Sequence, residues 1–212
     1  MTEEQARSYR HSVETAGEPP DEAATAIRLG NALRRLARVV TGSDAGDQAL
    51  DEAADEIERL ADRLEPHAQP SRYPQAERLG GPSGMFVTHP IVGTINPCAP
   101  PMRVTPGATG VVGTVVYGTP FEGPPGYAHG GHIAAGFDVI LAMTAGVNGV
   151  GGLTRSLSVR YRKPTPLHAD LVYEGAIGET SERLTTVTGK LMAGDVVCAE
   201  AVGEFARRPP AR

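Results

Sequence analysis

One carboxylate stands alone in an apolar stretch. Residues 126–154 read GYAHGGHIAAGFDVILAMTAGVNGVGGLT, and Asp138 is the only formally charged residue between His132 and Arg155. The apolar run from 130 to 147 predicts about four turns of helix, and a helix apolar on all sides is usually buried. A carboxylate placed there loses hydration unless it is hydrogen-bonded or changes its protonation state. Asp138 can therefore be a reactive group; the alternative is a buried side chain capping a nearby loop. Just before the run stand His129, Gly130 and Gly131. Two glycines at a helix start leave backbone N–H groups unobstructed, and with the positive end of the helix dipole these suit an oxyanion or a polarised carbonyl. The alternative for this tripeptide is a tight turn, with His129 as a hydrogen-bonding turn residue.

Spacing constrains the chemistry. Asp138 lies eight residues after Gly130, about 12 Å along a helix. That is too far for both to touch one small carbonyl. Two such helices paired antiparallel across a two-fold axis would bring the start of one to the later turn of the other, so the expected site is shared between subunits. His129, His132, Asp138 and His168 also admit a metal reading. No recognised spacing such as HExxH is present, so no metal is expected.

The elements around this stretch must position it. Residues 110–117, 153–162, 171–177, 184–192 and 196–205 read as strands, with a further strand-like run at 85–95 interrupted by Pro90. In 153–162, simple alternation puts Leu153, Leu157, Val159 and Tyr161 on one face and Thr154, Ser156, Ser158 and Arg160 on the other. Turns near Gly178 and Gly194 imply consecutive antiparallel hairpins. One buried helix with five or six antiparallel strands predicts an α+β fold, a sheet curled around a central helix. Upstream, Ala26, Leu29, Leu33, Leu36 and Val40 form one helical stripe, and Leu50, Ala53, Ile57, Leu60 and Leu64 a second; the two read as a helical hairpin. Residues 1–20 read as loosely ordered. The expected division is a hairpin region at 1–68, a Pro/Gly-rich linker at 69–84 and the main domain at 85–208.

Composition narrows the class. The chain has 212 residues, 40% of them hydrophobic, with a formal net charge of -5. That balance argues against a general nucleic-acid binder. Two cysteines, Cys98 and Cys198, do not make a disulfide framework. The polar N-terminus lacks a signal core, and the 130–147 run reads as a core helix rather than a membrane span. A cytoplasmic location is the default expectation.

Several segments in order carry a resemblance: Asn96-Pro97 with Pro100-Pro101, then residues 121–126 (FEGPPG), then His129-Gly130-Gly131 followed by Asp138, then residues 153–167. Over about 85–207 the chain resembles the hotdog-fold acyl-CoA thioesterases of the PaaI-like group, including the human thioesterase superfamily members. The resemblance implies a hotdog fold, a homodimer or homotetramer, and metal-independent hydrolysis of acyl-CoA with no cofactor, CoA being part of the substrate. It implies that Asp138 is the catalytic carboxylate, that Gly130 and Gly131 polarise the carbonyl, that His129 is the adjacent site histidine, and that Thr154 places the water or the carboxylate. Asn96, Glu122, Gly123 and Pro124 fall at candidate substrate-binding positions. His132 and the N-terminal helices depart from the family pattern. Basic residues for the CoA phosphates are expected near the site mouth, with Arg160, Arg162 and Lys163 as candidates. Two other readings share these residues: a hotdog enoyl-CoA hydratase or dehydratase, and a non-catalytic acyl-CoA-binding protein whose hairpin binds a partner.

Overall fold

The computed structural model describes residues 3–15, 19–100 and 102–207. Pro101 and the tail from 208 onward, parts of the expected loop and domain end, lie outside the described residues. Among the described residues, five α-helices come first: α1 (Glu3–Thr15), α2 (Ala24–Thr41), α3 (Asp47–Leu64), α4 (Tyr73–Arg78) and α5 (Pro82–Val87). Then follow β1 (Arg103–Pro106), β2 (Val111–Val115), the long α6 (Gly130–Val147), β3 (Gly152–Tyr161), β4 (Leu171–Thr180), β5 (Leu184–Ala193) and β6 (Val196–Arg207). The strands form one antiparallel sheet in the order β1-β2-β4-β5-β6-β3, so β3 is an edge. This is the expected hotdog arrangement, with α6 packed on the inner face of the sheet.

The composition of α6 explains its place. Ile133, Phe137, Ile140 and Leu141 are buried. Phe137 meets Tyr173 edge to face with ring centroids 5.0 Å apart. Gly136 lets the helix approach β4, since a Cβ there would lie 2.6 Å from the Tyr173 hydroxyl. The hydroxyls of Tyr117 and Tyr173 sit 2.8 Å apart, each 3.2 Å from a carbonyl of the first turn of α6, His132 and Ile133 respectively. Buried polar groups need such partners. Burial pushes the Tyr117 phenol up to about 12, so it stays protonated and able to donate.

Three local expectations are corrected. Residues 3–15 form a helix rather than a loose leader. Its stripe is sparse, so periodicity missed it, and docking stabilises it. Val13 is fully buried in the main core. Tyr9 packs on Phe86, with centroids 6.1 Å apart, and occupies the space beside Gly146 of α6. The run at 85–95 is not a strand. Pro82 starts α5 after Gly81 at φ 59, and turns follow, with the Gly93 amide bonded to the His89 carbonyl at 3.0 Å. Here a helix-start proline and tertiary packing outweigh the β-propensity of Met-Phe-Val-Thr. The third correction concerns β3. Its pairing with β6 shifts between Thr154 and Ser156. This bulge turns Thr154 to the inner face, opposite buried Phe205, and leaves Leu153 outward and 64% exposed.

Of the two helices with apolar stripes, α2 docks on the domain. Its buried Gly30 lies so close to the 94–95 loop that a Cβ would be 2.5 Å from the Ile95 carbonyl oxygen. By contrast α3 buries no residue. The stretch expected as a linker carries α4, and α5 runs across the expected start of the main domain.

Candidate active site

At the start of α6, His129 is the N-cap with extended backbone, and its Nδ1 accepts the Gly131 amide at 3.0 Å. The amides of His132 and Ile133 bond to the His129 carbonyl. Among the described residues, Gly130 therefore keeps the open N–H of this turn, while the Gly131 donor is already taken by the cap. Gly130 lies close against Tyr161. A Cβ there would lie 3.1 Å from the Tyr161 ring, and the Tyr161 hydroxyl donates to the Gly130 carbonyl at 2.7 Å. Because Nδ1 of His129 is an acceptor, Nε2 is the ring nitrogen that carries a proton. His132 packs between Phe121 and His129, with centroids 4.9 and 6.0 Å away. Burial, helped by the neighbouring His129, lowers its pKa.

Glu122, Gly123 and Pro124 build the loop that delivers His129. The Glu122 carboxylate accepts the Gly126 amide at 2.6 Å, and the Pro124 carbonyl accepts the Tyr127 amide at 2.9 Å. Gly123 allows close approach to the cap, since a Cβ would lie 2.9 Å from the His129 Cα.

Two turns along α6, Asp138 accepts a 2.9 Å hydrogen bond from the Thr154 hydroxyl. The bulge in β3 makes this contact possible. Asp138 sits on the wall of a cavity of about 580 Å³, with Val139, Ala142 and Met143 of α6 beside it. The other walls come from Tyr9 and Ser12 of α1, from Arg72, from Met85 and Phe86 of α5, and from the turn His89-Pro90-Ile91. The lining is mostly apolar, so the cavity suits a hydrocarbon chain with one polar end at the carboxylate.

His89 is the functional candidate that sequence reasoning missed. Nothing in a run read as a strand marked it out; the Pro90 that follows was the available hint of a turn. Its Nδ1 accepts the Ile91 amide at 3.1 Å, which leaves Nε2–H as its donor. Burial first, and then the positive charge of Arg72, push its pKa down to about 4, with Asp138 pulling the other way. The ring is therefore neutral at pH 7. Arg72 is fixed by the Met85 carbonyl at 3.2 Å and the Thr88 hydroxyl at 3.1 Å. Asn96 acts on the same turn from behind. Its side-chain amide donates to the Pro90 carbonyl at 3.1 Å, and its Oδ1 accepts the Cys98 amide at 3.0 Å.

The basic candidates are not brought to this site. Arg160 pairs with Glu200 in the β3–β6 register, on the outer face of the sheet. The Arg162 guanidinium contacts the Glu200 carboxylate through Nε at 2.7 Å and a terminal nitrogen at 2.6 Å. Lys163 follows, exposed, with its amide bonded to the Cys198 carbonyl at 3.0 Å. His168 lies elsewhere, lining a groove beside α2.

A carboxylate held by a hydroxyl at an apolar cavity, and a helix-start amide on the same helix, are parts for attack on an acyl group. The family model for the thioesterase superfamily matches residues 125–200, which include Asp138 and Thr154. Over 57 residues, 27% of the chain, the sequence is 40% identical to the human acyl-coenzyme A thioesterase THEM5; the match spans 23% of that protein's length. The crystal structure of a thioesterase superfamily protein superposes with a TM-score of 0.75 at 32% identity, covering 89% of this chain and 97% of the other. That coverage extends beyond the sheet and α6 into the N-terminal helices. The chain belongs to the thioesterase superfamily.

Proposed function

We propose that this thioesterase-superfamily chain hydrolyses acyl-CoA thioesters to the free acid and CoA, without a metal, and acts as a homodimer. The observation that carries the proposal is the Thr154–Asp138 hydrogen bond of 2.9 Å on the wall of the apolar cavity. In this reading the acyl chain enters the cavity and the thioester carbonyl stops near Asp138. The carboxylate takes a proton from water as its oxygen attacks the carbonyl carbon. The C–S bond then breaks, and CoA leaves as the thiolate, which regains a proton. Direct attack by Asp138 to give a mixed anhydride uses the same atoms and ends in the same products after water enters. Thr154 orients the carboxylate, and neutral His89 offers a second donor at the same cavity.

The carbonyl oxygen also needs a donor. The open Gly130 amide lies two turns from Asp138 along α6, too far to serve the same thioester from the same chain. A second copy related by a two-fold axis supplies it. The edge position of β3, with exposed Leu153 and Tyr161, supports such a partner, because an uncovered apolar edge favours pairing.

The test is thiol release from a panel of short, medium, long and aromatic acyl-CoAs, with wild type beside Asp138→Asn. Turnover by wild type that collapses in a folded variant is the expected result. No turnover of any member by folded wild type would overturn the hydrolase reading in favour of a non-catalytic acyl-CoA binder. Hydration of an enoyl-CoA in its place would redirect it to the hydratase chemistry.

A further inference from the structure

A second cavity, of about 390 Å³, lies between α2 and the loop that leads to His129. Arg34, Arg35 and Arg38 of α2 form one wall, with Pro97, Phe121 and His168 among the others. Its ionisable lining is three arginines and a histidine, with no Asp or Glu. That is a marked local excess in a chain whose formal net charge is -5. One member of the wall, Arg34, is held in place, while Arg35 and Arg38 are exposed. Gly30 packs α2 against the 94–95 loop. One turn later the Arg34 guanidinium donates to the carbonyls of Thr94 at 2.5 Å and Asn96 at 2.7 Å, and to Asn31 Oδ1 at 2.7 Å. All three acceptors are neutral, so they orient the guanidinium without cancelling its charge. Burial lowers its pKa, the sign of a cation short of solvent, and an anion in the groove would offset that cost. Among the described residues, neither Arg35 nor Arg38 is in an ion pair.

One wall of the groove, Phe121, packs toward the helix start. Phe121 in its wall packs on His132, and His132 packs on His129. We infer that this groove receives the phosphorylated ADP end of coenzyme A, with Arg35 and Arg38 on its phosphates and Arg34 as a fixed positive charge beneath them. Guanidinium groups are well matched to phosphate oxygens. Pro97 and Phe121 offer apolar surface to the base. Helix α2, rather than Arg160, Arg162 and Lys163 at the end of β3, then supplies the phosphate contacts. Glu200 already engages Arg162, which leaves that residue the weaker anion binder.

The inference rests on the acyl-CoA reading, and the experiment separates the two. Calorimetric binding of adenosine 3′,5′-bisphosphate, which needs no turnover, is measured for wild type and Arg35→Glu/Arg38→Glu. In parallel, KM is compared for an acyl-CoA and for the phosphate-free acyl-pantetheine. The expected result is binding by wild type that weakens at least about tenfold in the variant and weakens with added salt. The preference for acyl-CoA over acyl-pantetheine should shrink by a similar factor. Equal binding by wild type and folded variant, or an unchanged preference, overturns the groove assignment while leaving hydrolysis standing. Arginine-dependent binding of the bisphosphate without hydrolysis of any thioester sustains the groove and removes the hydrolase reading instead. A loss matched for both thioesters would mean a general disturbance of the site and also counts against the groove.

Discussion

The cavity at Asp138 has two kinds of wall. One side is a single helix, α6, with Asp138, Val139, Ala142 and Met143 in one short run of sequence. The other side is assembled from Tyr9, Ser12, Arg72, Met85, Phe86 and His89, spread over eighty residues of chain. The α6 side carries the carboxylate, and β3 adds only Thr154. The N-terminal side carries bulk, shape and a neutral imidazole. The contrast teaches a division of labour. Chemistry is written locally, in residues whose spacing along one helix sets their geometry. The shape of the acyl chamber is written at a distance, in segments that meet only when α1 docks on α6 and α5 packs on α1. The arginine groove continues this pattern, since α2 also reaches the domain through packing on the 94–96 loop.

That division can be broken. Asp138→Asn should lower turnover by about 10²–10⁴-fold, the usual worth of a positioned acid–base group, in a folded protein whose ranking of acyl chain lengths is unchanged. Steady-state thiol release across the panel measures both; a reordered ranking would mean that Asp138 also shapes the chamber.

Phe86→Ala tests the opposite wall. Phe86 is buried against Tyr9, and truncating such a ring costs roughly 3–5 kcal/mol. Urea unfolding should register that loss. Below the transition, the variant should shift its preference toward bulkier or longer acyl chains. An equal loss for every chain length, with no shift, would erase the distinction between the two walls.

His89 sharpens the comparison through pH. Its pKa is about 4 in the folded chain against an ordinary value of about 6.5. Between those values the unfolded chain binds more protons than the folded one, so stability rises with pH through this window. The contribution is complete above pH 6.5 and is lost as pH falls toward 4, by at most about 3 kcal/mol. Thermal melts at pH 7 and pH 4.5 should show a smaller acid loss for His89→Gln than for wild type. An identical loss would place the acid-sensitive group elsewhere.

The smallest effect is expected on α3. Ile57 is 38% exposed and α3 buries nothing, so Ile57→Ser should change monomer stability by no more than about 0.5 kcal/mol. A larger loss, measured by urea unfolding, would mean that the α3 stripe is covered in the assembled protein.

The central helix and the strand ladder were legible because their signals are local. A long apolar run bounded by glycines reads as a buried helix, and the period-two segments joined by Gly turns near 178 and 194 form the β4–β5 and β5–β6 hairpins, whereas β3 pairs with β6 across the sheet rather than with β4. His129, Gly130 and Asp138 were legible as candidates for the same reason, and Thr154 through the family resemblance. Their meeting was not. Thr154 reaches Asp138 through a bulge that inverts the alternation of β3, and nothing in the residues 153–156 announces which of them is extra. Gly131 lost its role as an open donor to the His129 cap, a choice of side-chain rotamer rather than of sequence. Residues 85–95 carry β-favouring side chains, yet Pro82 and the close packing of Gly84 on α4 make a helix and turns. The wall formed by α1 rests on Tyr9 and Val13, too few apolar residues to show a period. The sequence alone thus determined the α6 stretch, its lone carboxylate and the sheet that encloses it, because hydrophobic periodicity acts over neighbouring residues. Only the tertiary structure decided the chamber, its neutral histidine and the arginine groove, because those depend on contacts between segments that become neighbours through packing.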